Sequence, residues 1–415
     1  VTGAAADAVV ADYLALGLRM GRLVEGYVDC WFGDRALAER VAAEPAPDPA
    51  ELAGQARDLL RRLGDADLDA ERRRFLAAQL TAVECAARRA AGEQIGFLAE
   101  VETYFDVEVR LGDPDRYAAA HDAIDALLPG TGPLMDKVEA FYARNVVPPE
   151  RLGHAVRAVA DALRARARPM LGLPEAERVD IEVVRDRPWN AFNRYHGGFR
   201  STVTLNETAG RTIAVLPLMA THEAYPGHHT EHCLKEAGLV LDRGWDEHRI
   251  ALVNTPQCLV AEGTAEHAAA ALLGPGWGRW TTEVLAGEGV PVEGDLVERM
   301  VGLVNELMPA RQDAAILLHD RGASIDDAVE HLHRWLLLPR DRAEQIATFL
   351  TDPLWRAYSV TYIEGARLVG GWLAARPAGE PLVARYRTLL AEQLLPAQLR
   401  DGTVPAGAPP VPAAR

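Results

Sequence analysis

Thirteen residues in the middle of the chain, 220–232, contain four of its 12 histidines and two glutamates, in the string A-T-H-E-A-Y-P-G-H-H-T-E-H. An apolar run, 213–220, leads into this stretch, and an amphipathic segment, 233–237, follows it. Histidines gathered at the end of a buried segment indicate a metal site, because neutral imidazole is a common zinc ligand. The rest of the chain is expected to fold around this segment.

The spacing of these histidines does not fit a regular helix. Residues four apart share a helix face, but the residue four after His222 is Pro226. In a regular helix His228 would point to the opposite side, and His229 would lie roughly 10 Å further along the axis. Pro226 and Gly227 give the helix a reason to distort, since proline cannot donate and glycine adopts unusual backbone angles. A widened or π-type turn there would bring His228 to His222, with His229 as the alternative second ligand.

Carboxylates at defined positions complete the candidate site. Glu223 follows His222 directly, and in H-E motifs this carboxylate reaches the metal-bound water and acts as general base. Glu262, on a segment predicted to be a helix, is the third candidate ligand. Glu266 lies one turn later and is the reserve, while Glu247 is a weaker alternative. Two histidines and one carboxylate leave a fourth position for water, which is typical of a catalytic zinc site.

Composition narrows the classes of partner. The chain has 44 Lys and Arg against 60 Asp and Glu, a formal charge of −16, which disfavours a nucleic-acid binder. Four scattered cysteines without a C-x-x-C favour buried thiols in a reducing compartment. Residues 1–10 lack a basic region before an apolar core, and no apolar run approaches the roughly 20 residues of a membrane span. We therefore expect a cytoplasmic protein without a membrane partner; the oligomeric state is left open.

Helical periodicity dominates the first part of the chain. Apolar spacing predicts a helix over 4–32, and others over 68–93, 97–109, 114–128, 134–144 and 149–170. Asp48 before Pro49 is expected to cap the helix between the first two. The pattern changes near residue 171. We expect a helical part, 1–170, a metal-binding part, 171–403, that continues the same fold, and a loose tail, 404–415.

Two strands are predicted just before the histidine-rich stretch. Residues 179–184 and 200–206 alternate and are rich in β-branched side chains, and an aromatic, glycine-bearing loop, 188–199, separates them. The pair is either a structural hairpin or an edge to which an extended peptide adds as a further strand. The expected fold class is mainly α, with a small β-hairpin before the metal-binding helix.

These motifs together resemble the DUF885 family, a group of mostly bacterial proteins regarded as zinc-dependent peptidases. The resemblance covers roughly residues 185–400 and rests on H-E-A-Y-P-G-H-H at 222–229, G-F-R-S at 198–201, N-T-P at 254–256 and E-G-x-A at 262–265. It implies a large multi-helix, zincin-like metallopeptidase architecture. It also implies that Glu223 is the base and that the metal ligands are His222, Glu262 and either His228 or His229.

Two further elements of the family have counterparts near the end of the chain. The segment 358–365 resembles a Y-x-x-G element and implies that Tyr362 lies near the metal, where its hydroxyl would donate to an oxyanion. Without the resemblance, Tyr362 is equally well explained as a core aromatic. His319 and Gly322 fit the second half of a D-x-x-x-H element, in which Ala315 replaces the aspartate. This partial match makes His319 a candidate substrate contact.

The sequence therefore predicts metal-assisted hydrolysis of a short peptide or peptide-like amide. Zinc suits the two histidines and the carboxylate, and Glu223 would take a proton and pass it to the leaving amine. Arg200, Arg194 or Arg356 would hold a terminal carboxylate, making the protein a carboxypeptidase or dipeptidase. The alternatives are a hydrolase of a non-peptide amide or ester, and a non-catalytic helical scaffold or binding protein.

Overall fold

The computed structural model describes residues 2–185, 191–207 and 215–403, and these residues form a mainly helical protein with a few short strands. The expected tail, 404–415, and parts of the expected loop and apolar run lie outside the described residues. The helices are α1 (Thr2–Leu23), α2 (Arg35–Ala42), α3 (Pro49–Leu63), α4 (Ala70–Ala90), α5 (Phe97–Phe105), α6 (Pro114–Leu127), α7 (Leu134–Arg144), α8 (Pro149–Leu171), α9 (Leu216–Glu223), α10 (His228–Lys235), α11 (Pro256–Glu266), α12 (Ala268–Leu272), α13 (Trp277–Ala286), α14 (Gly294–Asn305), α15 (Pro309–His319), α16 (Ile325–Trp335), α17 (Arg340–Thr351), α18 (Trp355–Tyr358), α19 (Ala366–Ala374), α20 (Leu382–Ala391) and α21 (Pro396–Arg400).

The strands and irregular helical segments lie between these helices. The strands are β1 (Val28–Trp31), β2 (Arg178–Val184), β3 (Ala191–Gly197), β4 (Arg200–Asn206) and β5 (Ile250–Leu252). Two segments are π-helical, Glu236–Asp242 and Thr361–Gly365, and a 3-10 turn covers Asp246–Arg249.

The first helix ends earlier than its apolar spacing predicts. After α1 the chain turns at Gly26, whose φ of +83° suits glycine, and continues as β1. β1 pairs antiparallel with β5, so that Val28 faces Leu252. The prediction of a helix over 4–32 is thus wrong in its last part, because the partner of β1 is far away in the sequence and local periodicity does not contain it.

Both predicted strands are present, but they are not partners in a simple hairpin. β2 and β4 pair in parallel, and β3, which the sequence analysis assigned to a loop, pairs antiparallel with the other side of β4. The hairpin is formed by β3 and β4, with glycines at positive φ in its turn. β3 is therefore an outer strand of this sheet in the part of the chain that the structure describes.

Helix starts follow the sequence signals. The Asp48 side chain accepts hydrogen bonds from the backbone N–H of Ala50 at 2.8 Å and of Glu51 at 3.0 Å, as predicted for a cap of α3. None of the described helices is long and apolar enough to cross a membrane. All four cysteines are free thiols, three of them buried.

Helix α11 lies at the centre of the molecule. It packs against the π-helical turn Thr361–Gly365, α19, α20 and β5 in the later part of the chain, and against α4 and α5 in the first part. Buried apolar side chains around it form one continuous cluster that includes Val9 near one end of the chain and Leu399 near the other. A side chain on α11 can therefore meet groups from both parts.

Candidate metal centre

The histidine-rich stretch is broken into two helices. α9 ends at Glu223 and α10 begins at His228, so the expected distortion is a full break instead of a π-type turn. Gly227 makes the break possible: its N–H donates to the Thr221 carbonyl at 2.8 Å, and a Cβ there would lie 1.8 Å from the His222 carbonyl oxygen. Only glycine allows this close approach, which returns the chain to the end of α9.

The break brings three of the predicted ligands together. The Nε2 atoms of His222 and His228 are 3.1 Å apart. The carboxylate of Glu262 reaches both, with Oε2 3.4 Å from His222 Nε2 and Oε1 3.3 Å from His228 Nε2. Two atoms each held about 2.1 Å from one ion in tetrahedral directions are about 3.4 Å apart, so these separations fit a zinc-sized ion.

The position of Glu262 depends on the close crossing of two backbones. Gly263 meets Gly365 of the π-helical turn so closely that a Cβ on Gly263 would lie 2.3 Å from the Gly365 carbonyl carbon. The crossing lets the Tyr358 hydroxyl donate to Glu262 Oε1 at 2.7 Å. Glu262 Oε2, in contrast, is buried and has no hydrogen-bond partner among the residues that the structure describes. A buried carboxylate oxygen without a partner is unfavourable, and a cation at this point would satisfy it.

The electrostatics of the cluster favour positive charge. Burial lowers the pKa of His228, but the charges of Glu262, Glu223 and Glu231 outweigh it and raise the pKa to about 10. Burial raises the pKa of Glu262, but the two histidines hold it below its ordinary range. Carboxylates that attract a proton onto an imidazole also attract a metal cation to the same place.

Glu223 and Glu266 flank the three candidate ligands. The Glu223 carbonyl oxygen accepts a hydrogen bond from Asn193 on β3 at 2.7 Å, which ties the end of α9 to the sheet. Burial and the nearby Glu262 raise the pKa of Glu223, although the two histidines oppose this. Glu266 Oε1 is 3.6 Å from His222 Nδ1, on the far side of the ring from the cluster. A carboxylate there orients the imidazole.

His229 belongs to a different network. Its ring is fully buried, with Nδ1 2.8 Å from the Ser201 hydroxyl and Nε2 3.3 Å from Glu177 Oε2. Tyr225 donates to the same carboxylate at 2.6 Å, and Arg164 donates to its other oxygen at 2.6 Å. Burial raises the pKa of Glu177, but these hydrogen bonds outweigh it and lower the pKa to about 2. Both ring nitrogens of His229 are thus engaged away from His222.

Two tyrosines and an arginine line the site beside Glu262. Tyr362 lies next to Tyr358, with ring centroids 5.6 Å apart, and the Arg311 guanidinium is 5.3 Å from the Tyr362 ring centroid. Burial and the charge of Glu262 raise the pKa of Tyr362 well above its ordinary value. A neutral phenol at this position is a hydrogen-bond donor.

The other predicted contacts lie elsewhere. Arg200 is 64% exposed and 3.9 Å from Asp180. The ring of His319 packs against buried Phe97, and its Nε2 is 2.7 Å from the Leu350 carbonyl oxygen. Three further candidates have partners of their own: Glu247 binds Arg72, Arg356 binds Glu100, and Arg194 lies over Phe192.

Sequence reasoning missed three residues near the cluster: Asp29, Tyr358 and Arg311. Asp29 is on β1, where burial raises its pKa to about 6 against the charge of His228. No local signal identifies it, because β1 itself was missed. Tyr358 stands four residues before Tyr362, and this spacing did carry a signal that both rings share a face. Arg311 lies on α15 without any motif around it.

Comparisons with known proteins support the fold and little more. No family model and no curated protein sequence matches this chain. The fold is similar to the crystal structure of a protein described as a "putative lipoprotein" from Colwellia psychrerythraea, with a TM-score of 0.52, 15% identity and coverage of 85% of this chain and 65% of that one. This chain therefore spans slightly less than two thirds of that protein. The likeness indicates a shared fold.

Two other solved structures are more distant. One is a "putative lipoprotein of unknown function" from Shewanella oneidensis, with a TM-score of 0.46, 13% identity and coverage of 88% of this chain and 74% of that one. The other is the M32 carboxypeptidase from Deinococcus radiodurans R1, with a TM-score of 0.37, 16% identity and coverage of 96% and 92%. Membership of the DUF885 family stays a prediction.

Proposed function

We propose that this protein is a metal-dependent hydrolase, a zinc peptidase that acts on short peptides. The observation that carries the proposal is the set of three ligand atoms on His222, His228 and Glu262, which all lie within 4.8 Å of one another. Two imidazoles and one carboxylate leave a coordination position open, as catalytic zinc sites do. The unpartnered Glu262 Oε2 supports an ion at this place.

Each residue around the ligands has a role in this proposal. His222, His228 and Glu262 would hold a divalent ion, which would supply Lewis acidity and lower the pKa of a water molecule. Glu223 accepts the proton from water at its carboxylate and passes it to the leaving amine, a task that its raised pKa suits. The Tyr362 hydroxyl donates to the oxygen that becomes negative as the carbonyl is attacked. His228 is the second histidine ligand, because both nitrogens of His229 are already hydrogen-bonded.

The surroundings of the site favour an extended peptide as substrate. The candidate ligand side chains are only 8% to 17% exposed, so a folded protein surface would not reach them. β3 is an outer strand in the described part of its sheet, and its Asn193 touches the end of α9. A peptide added along β3 would run towards the metal centre with its backbone hydrogen bonds satisfied. A cytoplasmic location stays a prediction from the sequence.

The first test is elemental analysis of the purified protein beside a His222→Ala variant. One equivalent of zinc in the parent and none in the variant is the expected result. A peptide screen then follows, with Glu223→Gln as the inactive control. Absence of metal from the parent, even after incubation with zinc, would overturn the proposal and leave a scaffold or binding protein. Metal binding with cleavage of esters or non-peptide amides alone would overturn the substrate class.

A further inference from the structure

Arg311 is a partly buried cation beside the metal centre that the catalytic proposal does not use. It lies in the first turn of α15, and its guanidinium contacts two aromatic rings, 5.4 Å from the Phe349 centroid and 5.3 Å from the Tyr362 centroid. Contact with two rings narrows the orientations open to the side chain. A guanidinium held this way has lost much of its conformational freedom before any ligand binds.

The N–H groups of the Arg311 guanidinium are available as hydrogen-bond donors to a ligand. Within 2–185, 191–207 and 215–403, its Nε is shielded from solvent and has no hydrogen-bond partner, and the side chain makes no ion pair. Burial accordingly lowers the pKa of Arg311, with only partial compensation from Tyr362 and Glu266. A partly buried arginine with a shielded Nε and no carboxylate partner among the described residues is unfavourable to the fold, which makes a function at this position the better explanation.

The arginines that the sequence suggested as anion binders either have an acidic neighbour or are exposed, unlike Arg311. Arg356 shares the buried Glu100 carboxylate with Arg89. Arg200 is exposed and close to Asp180, and Arg194 is exposed above Phe192. Of these four arginines, Arg311 alone combines an Nε that has no partner among the described residues with a position beside the metal centre.

The location of Arg311 connects it to the reacting centre. Its charge is close enough to lower the pKa of both Tyr362 and Glu266 against the effect of burial. Tyr362 touches the ring of Tyr358, which donates to Glu262, and Glu266 lies 3.6 Å from His222 Nδ1. Arg311 thus faces the side of the cluster bounded by Tyr362 and Glu266. On this side of the cluster Arg311 offers a substrate carboxylate a positive charge, which Glu223, Glu262 and Glu266 do not.

We propose that Arg311 binds the free α-carboxylate of the substrate, so that the enzyme removes residues from the carboxyl end of short peptides. A planar guanidinium matches a carboxylate with two parallel hydrogen bonds, and Nε together with one Nη supplies that pair. Consecutive residues are about 3.8 Å apart, so an anchor near Tyr362 restricts cleavage to within a residue or two of the terminus. This inference rests on the proposed peptidase function and names its substrate class.

Binding to an inactive background tests the inference without relying on turnover. The protein is zinc-loaded Glu223→Gln, alone and combined with Arg311→Met, and the probes are N-acetylated tripeptides ending in Ala, Phe, Lys or Glu, each as free acid and as amide. Calorimetry is expected to show acids binding roughly 10- to 100-fold more tightly than amides in the single variant. Addition of Arg311→Met removes this preference, and Arg311→Lys keeps part of it.

Matched controls separate a binding role from a structural one. Arg321→Met changes an arginine just after α15 that is 61% exposed beside Asp320, and it should retain the full preference for acids. Arg311→Met should bind as much zinc as the parent and unfold at a temperature no lower than the parent's, because the arginine is costly to the fold. A loss of affinity that is equal for acid and amide would mean that Arg311 only supports the fold and would overturn the inference. Loss of the preference for free acids in Arg200→Ala, with Arg311 intact, would also overturn the inference.

The outcomes also separate this inference from the peptidase proposal. Zinc binding and peptide cleavage without discrimination between acid and amide would remove the role of Arg311 and leave the peptidase intact. Absence of zinc binding would overturn the peptidase proposal itself, before the role of Arg311 is tested. Zinc-loaded protein that binds none of the peptides would overturn both the peptide substrate and the carboxylate anchor.

Discussion

Two clusters in this protein contain nearly the same residue types but differ in whether every hydrogen-bonding group has a partner. In one, Glu177 meets His229 and the hydroxyl of Tyr225. In the other, Glu262 meets His228 and the hydroxyl of Tyr358. His228 and His229 are neighbours at the start of α10, so one turn of chain supplies a histidine to each. We call them the closed cluster, around Glu177, and the open cluster, around Glu262.

The two clusters differ in the group that lies beside the second oxygen of each carboxylate. Arg164 donates to the second oxygen of Glu177 at 2.6 Å, which leaves the closed cluster with paired donors and acceptors. In the open cluster no arginine from the described part of the chain takes that place. His222 lies there instead, and among the same residues Glu262 Oε2 has no hydrogen-bond partner. A satisfied network stabilises a fold, whereas a buried set with one unmet acceptor is prepared for a cation. The same residue types thus serve a structural and a candidate functional role.

Separate replacement of His228 and His229 by alanine is expected to give the largest difference between the two clusters. His228→Ala removes a candidate ligand, and zinc affinity should fall by more than the roughly 10- to 100-fold that loss of an outer partner costs. His229→Ala should keep one equivalent of zinc but lose on the order of 2 kcal/mol of unfolding free energy, because Glu177 and Ser201 lose a partner. Zinc analysis after dialysis and urea unfolding of the metal-free proteins measure the two effects. Zinc loss from His229→Ala alone would reverse the assignment of the clusters.

The next effect concerns catalysis within the open cluster. Glu223→Gln keeps the size and the hydrogen bonding of the side chain but cannot accept a proton. We expect kcat to fall by about 10²- to 10⁴-fold on any peptide the parent cleaves, with zinc stoichiometry unchanged. Steady-state kinetics on the zinc-loaded proteins provide the measurement. Activity close to that of the parent would show that another group takes the proton.

The sequence anticipated the composition of the open cluster better than its geometry. His222, Glu223 and Glu262 were predicted from spacing and residue type, and Pro226 with Gly227 was predicted to distort the helix. The form of the distortion was not foreseen. After α9 the chain folds back until Gly227 touches the last turn of that helix, and helix geometry alone does not predict such a contact. His228 and His229 were inseparable in sequence. What distinguishes them is Glu177, which lies about fifty residues earlier in the chain.

Residues brought in by distant pairing were beyond sequence reasoning. Asp29 depends on the pairing of β1 with β5, and the periodicity of the first helix concealed that strand. Arg311 needed the packing of α15 against Phe349 and Tyr362. The mainly helical fold and most helix starts, in contrast, depend on apolar periodicity and on caps such as Asp48, which are local properties. Local signals therefore predicted the scaffold, and long-range contacts complete the site.

The closed cluster predicts a specific dependence of stability on pH. The pKa of Glu177 falls from 4.5 to about 2 on folding, so its stabilising effect is present above pH 4.5 and is lost as the pH falls towards 2. At about 1.36 kcal/mol per pH unit, the full effect is on the order of 3 kcal/mol. Urea unfolding of metal-free parent and Glu177→Gln should differ by about this amount at pH 7 and converge below pH 4.5. A difference that stays constant with pH would mean that Glu177 acts through packing instead of charge.

The smallest expected effects come from replacing the two tyrosines that donate hydrogen bonds to Glu262 and Glu177. Tyr358→Phe removes the 2.7 Å hydrogen bond to Glu262 Oε1, and zinc should bind roughly 10- to 100-fold more weakly because the carboxylate is less well oriented. Tyr225→Phe removes the 2.6 Å hydrogen bond to Glu177 and should cost about 1 kcal/mol of stability without changing zinc affinity. Competition with a chelator measures the first effect and urea unfolding the second. Equal changes in zinc affinity for both variants would mean that the clusters are mechanically coupled through α10, and the division between a structural and a functional cluster would no longer hold.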